Sequence, residues 1–356
     1  MTRPTDPTPV DFLETTHMTE PRILVIGDSY MSAEVFQRAF QQRGLAVDAI
    51  TMTIADPTWD TASIHEFEGD PAEVVRLAQG YEIVAFHAAP FTAAVIEGLP
   101  ELRLAGCARG GPVNVDLAAA REHGVRVTTT PGKNAEAVAD LTIGFLISLV
   151  RNVPASLRDV DDRVSDGRPL AESTFEGARW FGREISGLRL GLVGYGNVAR
   201  LVAARARALG ATILAYDPYV DASVVTDATI VAGLDELVSQ SDVLSIHARA
   251  TADNRHMIGA EQIARLPRGS FLINTARESL VDERAMLEAL DSGQLAGVAL
   301  DVNEPDGPWR ELVAQPNLIL TPHLAGATFE TLARGADMLA SEIQAFLADE
   351  PLRWER

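Results

Sequence analysis

With 356 residues, 47% apolar but only 6% aromatic, the chain has the length for two cores and the composition of alanine- and valine-rich α/β layers. Its 50 acidic and 30 basic residues leave a net charge of −20, which argues against nucleic acid or an anionic membrane surface as partner. Any anionic substrate must therefore be met by local positive charge. No apolar run approaches the ~20 residues of a membrane span, and the single cysteine, Cys107, excludes an intramolecular disulfide and fits a reducing, cytoplasmic setting.

Residues 1–20 carry Pro4, Pro7 and Pro9 without hydrophobic periodicity, and read as a disordered extension rather than a signal peptide, with Met18 an alternative start. The first strand runs from Arg22 to Gly27. Strands and helices then alternate: a helix from Ala33 to Arg43, a strand from Val47 to Thr53, a helix from Pro71 to Gln79 and a strand from Ile83 to Phe86. This is the rhythm of a parallel sheet wrapped by helices. His87 ends the last of these strands, on the edge where open α/β sheets bind ligands. In Arg109-Gly110-Gly111-Pro112, two glycines can turn backbone amides toward an anion and the arginine adds a cation; an ordinary strand-to-helix turn is the competing reading. A helix from Ala118 to His123, a short strand at Val125–Val127 and a long apolar helix from Ala135 to Val150 follow, with a domain boundary at residue 131.

The stretch from Arg151 to Leu188 is polar and reads as irregular, and its Trp180 and Phe181 are expected against another subunit or the domain core. Next come an apolar strand, the turn Gly194-Tyr195-Gly196-Asn197-Val198-Ala199, and a helix from Val198 to Leu209. That arrangement suits a dinucleotide pyrophosphate. Gly194 permits a tight turn, Gly196 lets the backbone approach the phosphates, and the first helical amides, at Asn197 and Val198, point at the anion. Asp217 ends the next strand 23 positions after Gly194, close to the ~20 expected of a carboxylate that accepts from the adenosine ribose and repels the extra phosphate of NADP. The cofactor expected is NAD. Further strands place Arg277, Asp301 and His323 at their carboxyl ends, which parallel strands present on one edge.

With these residues in place, the chain resembles the D-isomer-specific 2-hydroxyacid dehydrogenase family, which includes phosphoglycerate, glycerate and D-lactate dehydrogenases. The resemblance spans residues 22 to 350. It rests on the Gly194 turn with Asp217, on His247 followed by Thr251, on Asn274-Thr275-Ala276-Arg277, on Ala299-Leu300-Asp301-Val302, and on Thr321-Pro322-His323-Leu324-Ala325-Gly326. It implies NAD contacts at His247, Thr251, Thr275, Ala276 and Gly326, with Asp301 binding the nicotinamide carboxamide. It also implies that Arg277 holds the substrate carboxylate and polarises the 2-oxo group, and that His323 is the general acid and base. The segment Arg109, Gly110 and Gly111 would serve the substrate, with His87 beside it.

Two departures stand out. The family pattern Asp-Val-x-x-x-Glu-Pro is here Asp301-Val302-Asn303-Glu304-Pro305-Asp306; counting from Asp301 selects Asp306 as the acid partner of His323, whereas the Glu-Pro pair selects Glu304, which we choose. Glu278 also stands where the family usually has glycine.

The fold expected is α/β, with two doubly wound parallel-sheet domains and the active site between them. A discontinuous, flavodoxin-like substrate domain covers 21–130 and 327–356, and a Rossmann NAD-binding domain covers 131–326. The appended regulatory domains of some phosphoglycerate dehydrogenases are not expected. The function expected is NAD-dependent, reversible reduction of a small 2-oxo acid to the D-2-hydroxy acid by a homodimer that uses no metal. His87 and Arg109 suggest a second anionic or polyhydroxylated substrate group. The alternatives are a non-enzymatic NAD(H)-sensing scaffold like the C-terminal-binding-protein corepressors, and a methyltransferase using the glycine turn for S-adenosylmethionine.

Overall fold

The structure, a computed structural model, describes residues 21–52, 58–61, 63–169 and 174–356. The N-terminal extension read from the sequence lies outside the described residues. The chain forms two compact units, 1–131 with 335–356, and 132–334. The sequence reading returned the chain to the first unit at residue 327, eight positions earlier.

In the first unit, strands β1 (Ile23–Gly27), β2 (Asp48–Thr51), β5 (Ile83–Phe86), β6 (Leu104–Cys107) and β7 (Arg126–Thr128) alternate with α1 (Ala33–Gln42), α2 (Pro71–Ala78), α3 (Ala93–Glu97) and α4 (Leu117–Glu122). The sheet order β2-β1-β5-β6-β7 is the flavodoxin-like order, all parallel. Every residue of β1, β5 and β6 is buried, as central strands covered on both faces require. β2, at the edge, has none. Helix α1 buries Ala33, Phe36, Ala39 and Phe40, one stripe at helical spacing. A short antiparallel ribbon, β3 (Thr58–Asp60) with β4 (His65–Phe67), has no counterpart in the sequence reading.

The second unit holds α5 (Ala135–Val150), α6 (Val153–Ser165), β8 (Arg189–Val193), α7 (Asn197–Ala208), β9 (Thr212–Tyr216), β10 (Thr229–Ile230), α8 (Leu234–Gln240), β11 (Val243–Ile246), α9 (Ala260–Arg265), β12 (Ser270–Asn274), α10 (Glu283–Asp291), β13 (Leu295–Leu300), α11 (Trp309–Val313) and β14 (Leu318–Leu320); α12 (Phe329–Leu347) runs on into the first. Its parallel sheet has the order β10-β9-β8-β11-β12-β13-β14, a Rossmann sheet extended by one strand. The small residues Ala199, Val202, Ala203 and Ala206 of α7 share one core with Ala139, Leu146, Leu149 and Val150 of α5.

One expectation fails here. The stretch after Arg151 is not irregular, since thirteen of its residues form α6. Asn152 turns the chain in a left-handed conformation (φ 55°), and Pro154 sits in the first helical turn, where a missing N–H costs nothing. Among the described residues no single helix is long and apolar enough to cross a membrane.

In the first unit, the buried Glu342 of α12 accepts from the Thr128 hydroxyl at 2.8 Å and from the amides of Trp354 (3.1 Å) and Arg353 (3.3 Å), tying the C-terminal tail to β7. Glu342→Leu leaves three donors unpaired and is expected to cost at least about 2 kcal/mol in urea denaturation, against about 1 kcal/mol for Thr128→Val, which removes one donor. Equal effects would refute this account.

Candidate active site

The parallel sheet of the second unit aligns its strands' carboxyl ends, so Gly194, Asp217, His247, Thr275–Arg277, Asp301 and Thr321–His323 follow one another along that edge. The switch in strand order falls between β8 and β11, beside Gly194.

Gly194 has φ +87°, and a Cβ there would lie 2.8 Å from the Ala248 backbone. Gly196 faces open space and caps α7 with no side chain, so the helix's first amides, at Asn197 and Val198, keep their anion-binding capacity. Asp217 is half-buried; its Oδ2 accepts from the Tyr195 amide at 2.8 Å and its Oδ1 from the Tyr219 amide at 2.9 Å, bracing the glycine turn. A glycine cradle, an uncapped twelve-residue helix and a carboxylate at the neighbouring strand end fit a dinucleotide.

His247 follows β11, its Nε2 2.9 Å from the Ser245 hydroxyl. Burial pushes the ring down to about 4, from 6.5, so it is neutral at physiological pH. Thr251 is exposed and its amide donates to Asn254. Thr275 is buried, sharing a hydrogen bond with Thr142 of α5, while Ala276 and Gly326 are half-buried.

Arg277 is exposed on extended backbone. Asn274 holds its turn by donating to the Arg277 carbonyl and accepting from the Ala276 amide. The guanidinium donates to the Ala276 carbonyl at 2.7 Å and, among the described residues, makes no ion pair, which leaves its charge available. His323 is exposed at φ +54°, and its ring has no hydrogen-bond partner among the described residues.

Three expectations meet a different geometry. Asp301, read as a cofactor contact, is 2% exposed, and both its oxygens are engaged by the His323 segment: Oδ1 accepts from the Thr321 hydroxyl (2.6 Å) and the Leu324 amide (2.8 Å), and Oδ2 from the Ala325 amide (2.8 Å). Glu304 does not bond to His323. Its Oε1 accepts from Arg255 at 2.6 Å and lies 3.2 Å from His256 Nε2, while the exposed Asp306 has no side-chain partner among the described residues. Neither Arg255 nor His256 ends a strand, so strand-edge reasoning missed both.

In the first unit, Arg109 is not a free cation, because it donates to the Glu66 carbonyl (2.6 Å) and carboxylate (2.7 Å). The amides of Gly110 and Gly111 donate to no described group. His87 is buried at the end of β5, with Nδ1 3.2 Å from Asp28 Oδ2 and its ring stacked on Tyr30 at 5.1 Å. Burial works against the Asp28 charge, but His87 and the amides of Met31 and Ala88 prevail and hold its pKa below the usual value.

The family model described as the D-isomer specific 2-hydroxyacid dehydrogenase, NAD binding domain, matches residues 143–325. The chain belongs to the D-isomer-specific 2-hydroxyacid dehydrogenases. The dehydrogenase is 35% identical over 291 residues to a glycerate dehydrogenase of Methylorubrum extorquens, covering 81% of this chain and 89% of that one. It is 35% identical over 266 residues to a hydroxypyruvate reductase of Thermotoga maritima, covering 73% and 83%. Among solved structures, D-2-hydroxyisocaproate dehydrogenase superposes with a TM-score of 0.80 at 25% identity, over 94% of this chain and 99% of that one. The dehydrogenase is thus an NAD-dependent oxidoreductase.

Two outcomes are expected. If Asp217 accepts from the ribose, Asp217→Ala, which also removes the brace on Tyr195, should weaken NADH binding at least about tenfold by fluorescence titration, about 1.4 kcal/mol, and narrow the preference over NADPH; unchanged affinity would refute the assignment. For His247, whose folded pKa lies below its unfolded one, the unfolded chain takes up the proton first on acidification. Its contribution to stability is therefore complete above about pH 6.5 and lost toward about pH 4. Urea midpoints should fall across that window, and His247→Gln should flatten the fall.

Proposed function

We propose that the enzyme reduces a small 2-oxo acid reversibly to the D-2-hydroxy acid, with Arg277, His323 and Glu304 as its catalytic residues. The observation that carries this reading is the pair of exposed cationic-capable side chains, Arg277 after β12 and His323 after β14, on the same sheet edge to either side of β13, neither held in an ion pair among the described residues. When bound, the nicotinamide supplies or accepts the hydride. Arg277 grips the substrate carboxylate with its planar fork and polarises the adjacent carbonyl. His323 donates a proton to the carbonyl oxygen in reduction and removes it in oxidation. Glu304 orients that ring by exchanging one of its present partners, Arg255 or His256, for His323. The uncommitted amides of Gly110 and Gly111 offer donors to the substrate, and His87, backed by Asp28, offers a site for a second anionic or hydroxyl group.

The enzyme is proposed to act as a cytoplasmic homodimer that binds neither nucleic acid nor membranes. Support for a second copy comes from α6, where Val153, Leu157, Val160 and Val164 are exposed at helical spacing, and from Phe175 and Phe181, more than 80% exposed. Of the two aromatics expected from the sequence against another subunit or the domain core, Phe181 is exposed and Trp180 half-buried.

Oxidation of NADH followed at 340 nm across hydroxypyruvate, its phosphate, glyoxylate, pyruvate and 2-oxo sugar acids tests the reading. His323→Ala should lower kcat at least about 100-fold, and Arg277→Lys should raise KM while lowering kcat, because a point charge cannot reproduce the fork. Binding of NADH without turnover on any of these acids would return the chain to the scaffold reading.

A further inference from the structure

Glu283 begins α10, six positions after Arg277, where an acid is ordinarily a solvated charge at a helix end. Here it is 3% exposed. Capping does not explain it, because Asp282 already caps α10 through the amides of Arg284 and Ala285. Its Oε1 instead accepts from the Glu304 amide at 2.7 Å, across to the segment after β13. Its Oε2 is buried with no hydrogen-bond partner among the described residues.

The segment it holds is shaped to meet it. The Gly307 amide donates to the Glu304 carbonyl at 3.0 Å, closing a turn, and a Cβ on Gly307 would lie 2.1 Å from Glu283 Oε2. With a side chain at 307, the Glu283 carboxyl group would have to shift for the turn to wrap onto it. Burial pushes the pKa of Glu283 up; the Glu304 amide and His256 oppose this, while the Glu304 and Glu278 carboxylates add to it. So costly a placement calls for a role that a surface acid could not fill.

We propose that Glu283 is the positioning residue for Glu304. It anchors the Glu304 backbone to the helix that follows the Arg277 turn, so that the carboxylate can pass between His256 and His323 while its main chain stays fixed. This role rests on the catalytic reading of Glu304.

The test compares Glu283→Leu, Glu283→Gln and Gly307→Ala, each with Glu304 intact and with Glu304→Gln. The readouts are kcat and KM with NADH and hydroxypyruvate or glyoxylate, NADH affinity by fluorescence, and hydrogen exchange at the Glu304 amide, which needs no substrate. Glu283→Leu should lower kcat at least tenfold, change NADH affinity less than twofold and accelerate exchange at Glu304. Glu283→Gln, which keeps the acceptor, should recover most of the activity. In the Glu304→Gln background, Glu283→Leu should cost less than a further twofold. Should Glu283→Leu fail to fold, Gly307→Ala disturbs the same contact while leaving α10 intact, and is expected to show the same pattern.

Unchanged exchange at Glu304, or an equal loss of kcat in both backgrounds, would overturn the proposal. Full activity of Glu304→Gln would overturn the catalytic reading of Glu304 instead, and differs from failure of the anchor, in which Glu304→Gln is slow and Glu283→Leu is not.

Discussion

The conformation of the segment after β14 depends on one buried carboxylate. Asp301 ends β13 and spends both oxygens on the segment that carries His323. That segment needs holding, because His323 has φ +54°, a left-handed conformation that costs a non-glycine residue about 1–2 kcal/mol. Hydrogen bonds to a charged acceptor are each worth about 1.5–3 kcal/mol, so the three Asp301 accepts outweigh the strain. The ring can then stand exposed, without a hydrogen-bond partner among the described residues, while its main chain is fixed by a neighbouring strand.

Other acids repeat this part elsewhere. Asp217 accepts the Tyr195 amide and braces the glycine turn; Glu283 accepts the Glu304 amide; Glu342 ties the tail to β7. Screening at physiological ionic strength shortens the reach of surface charge to about 8 Å. What an anion meets close to the site is then set by Arg277 and the α7 amides more than by the distant acidic surface.

Much of the fold was legible because burial on both faces leaves a plain signature. The strands Ile23–Gly27, Ile83–Phe86, Val243–Ile246 and Ser270–Asn274 are apolar runs that could serve only as central parallel strands, and the glycine turn with Asp217 carried its own spacing. Helix α6 was hidden, since Pro154 and the run from Asp159 to Asp166 look like a linker when the stripe Val153, Leu157, Val160 and Val164 is not weighed as a helix face. Strand ends placed Arg277, Asp301 and His323 on one edge. Which partner each side chain takes is a tertiary fact: nothing in Arg109-Gly110-Gly111 indicates that Glu66, forty-three positions earlier, occupies the guanidinium, and nothing in Asp301-Val302 indicates that its carboxylate faces the chain rather than a ligand.

The segment between Asp301 and Glu304 is two residues shorter than the family pattern. Only two residues separate the anchored Asp301 from Glu304, so the backbone at 302–303 has little slack. Asp301 is fixed to the His323 segment at one end and the Glu304 amide to Glu283 at the other, so the main chain of this short segment is held at both ends. The Glu304 carboxylate, 23% exposed and shared between Arg255 and His256, can still change partner by rotamer exchange. Rigid backbone with a mobile acid is the arrangement expected where a proton-transferring ring must be oriented without rebuilding the loop that carries it.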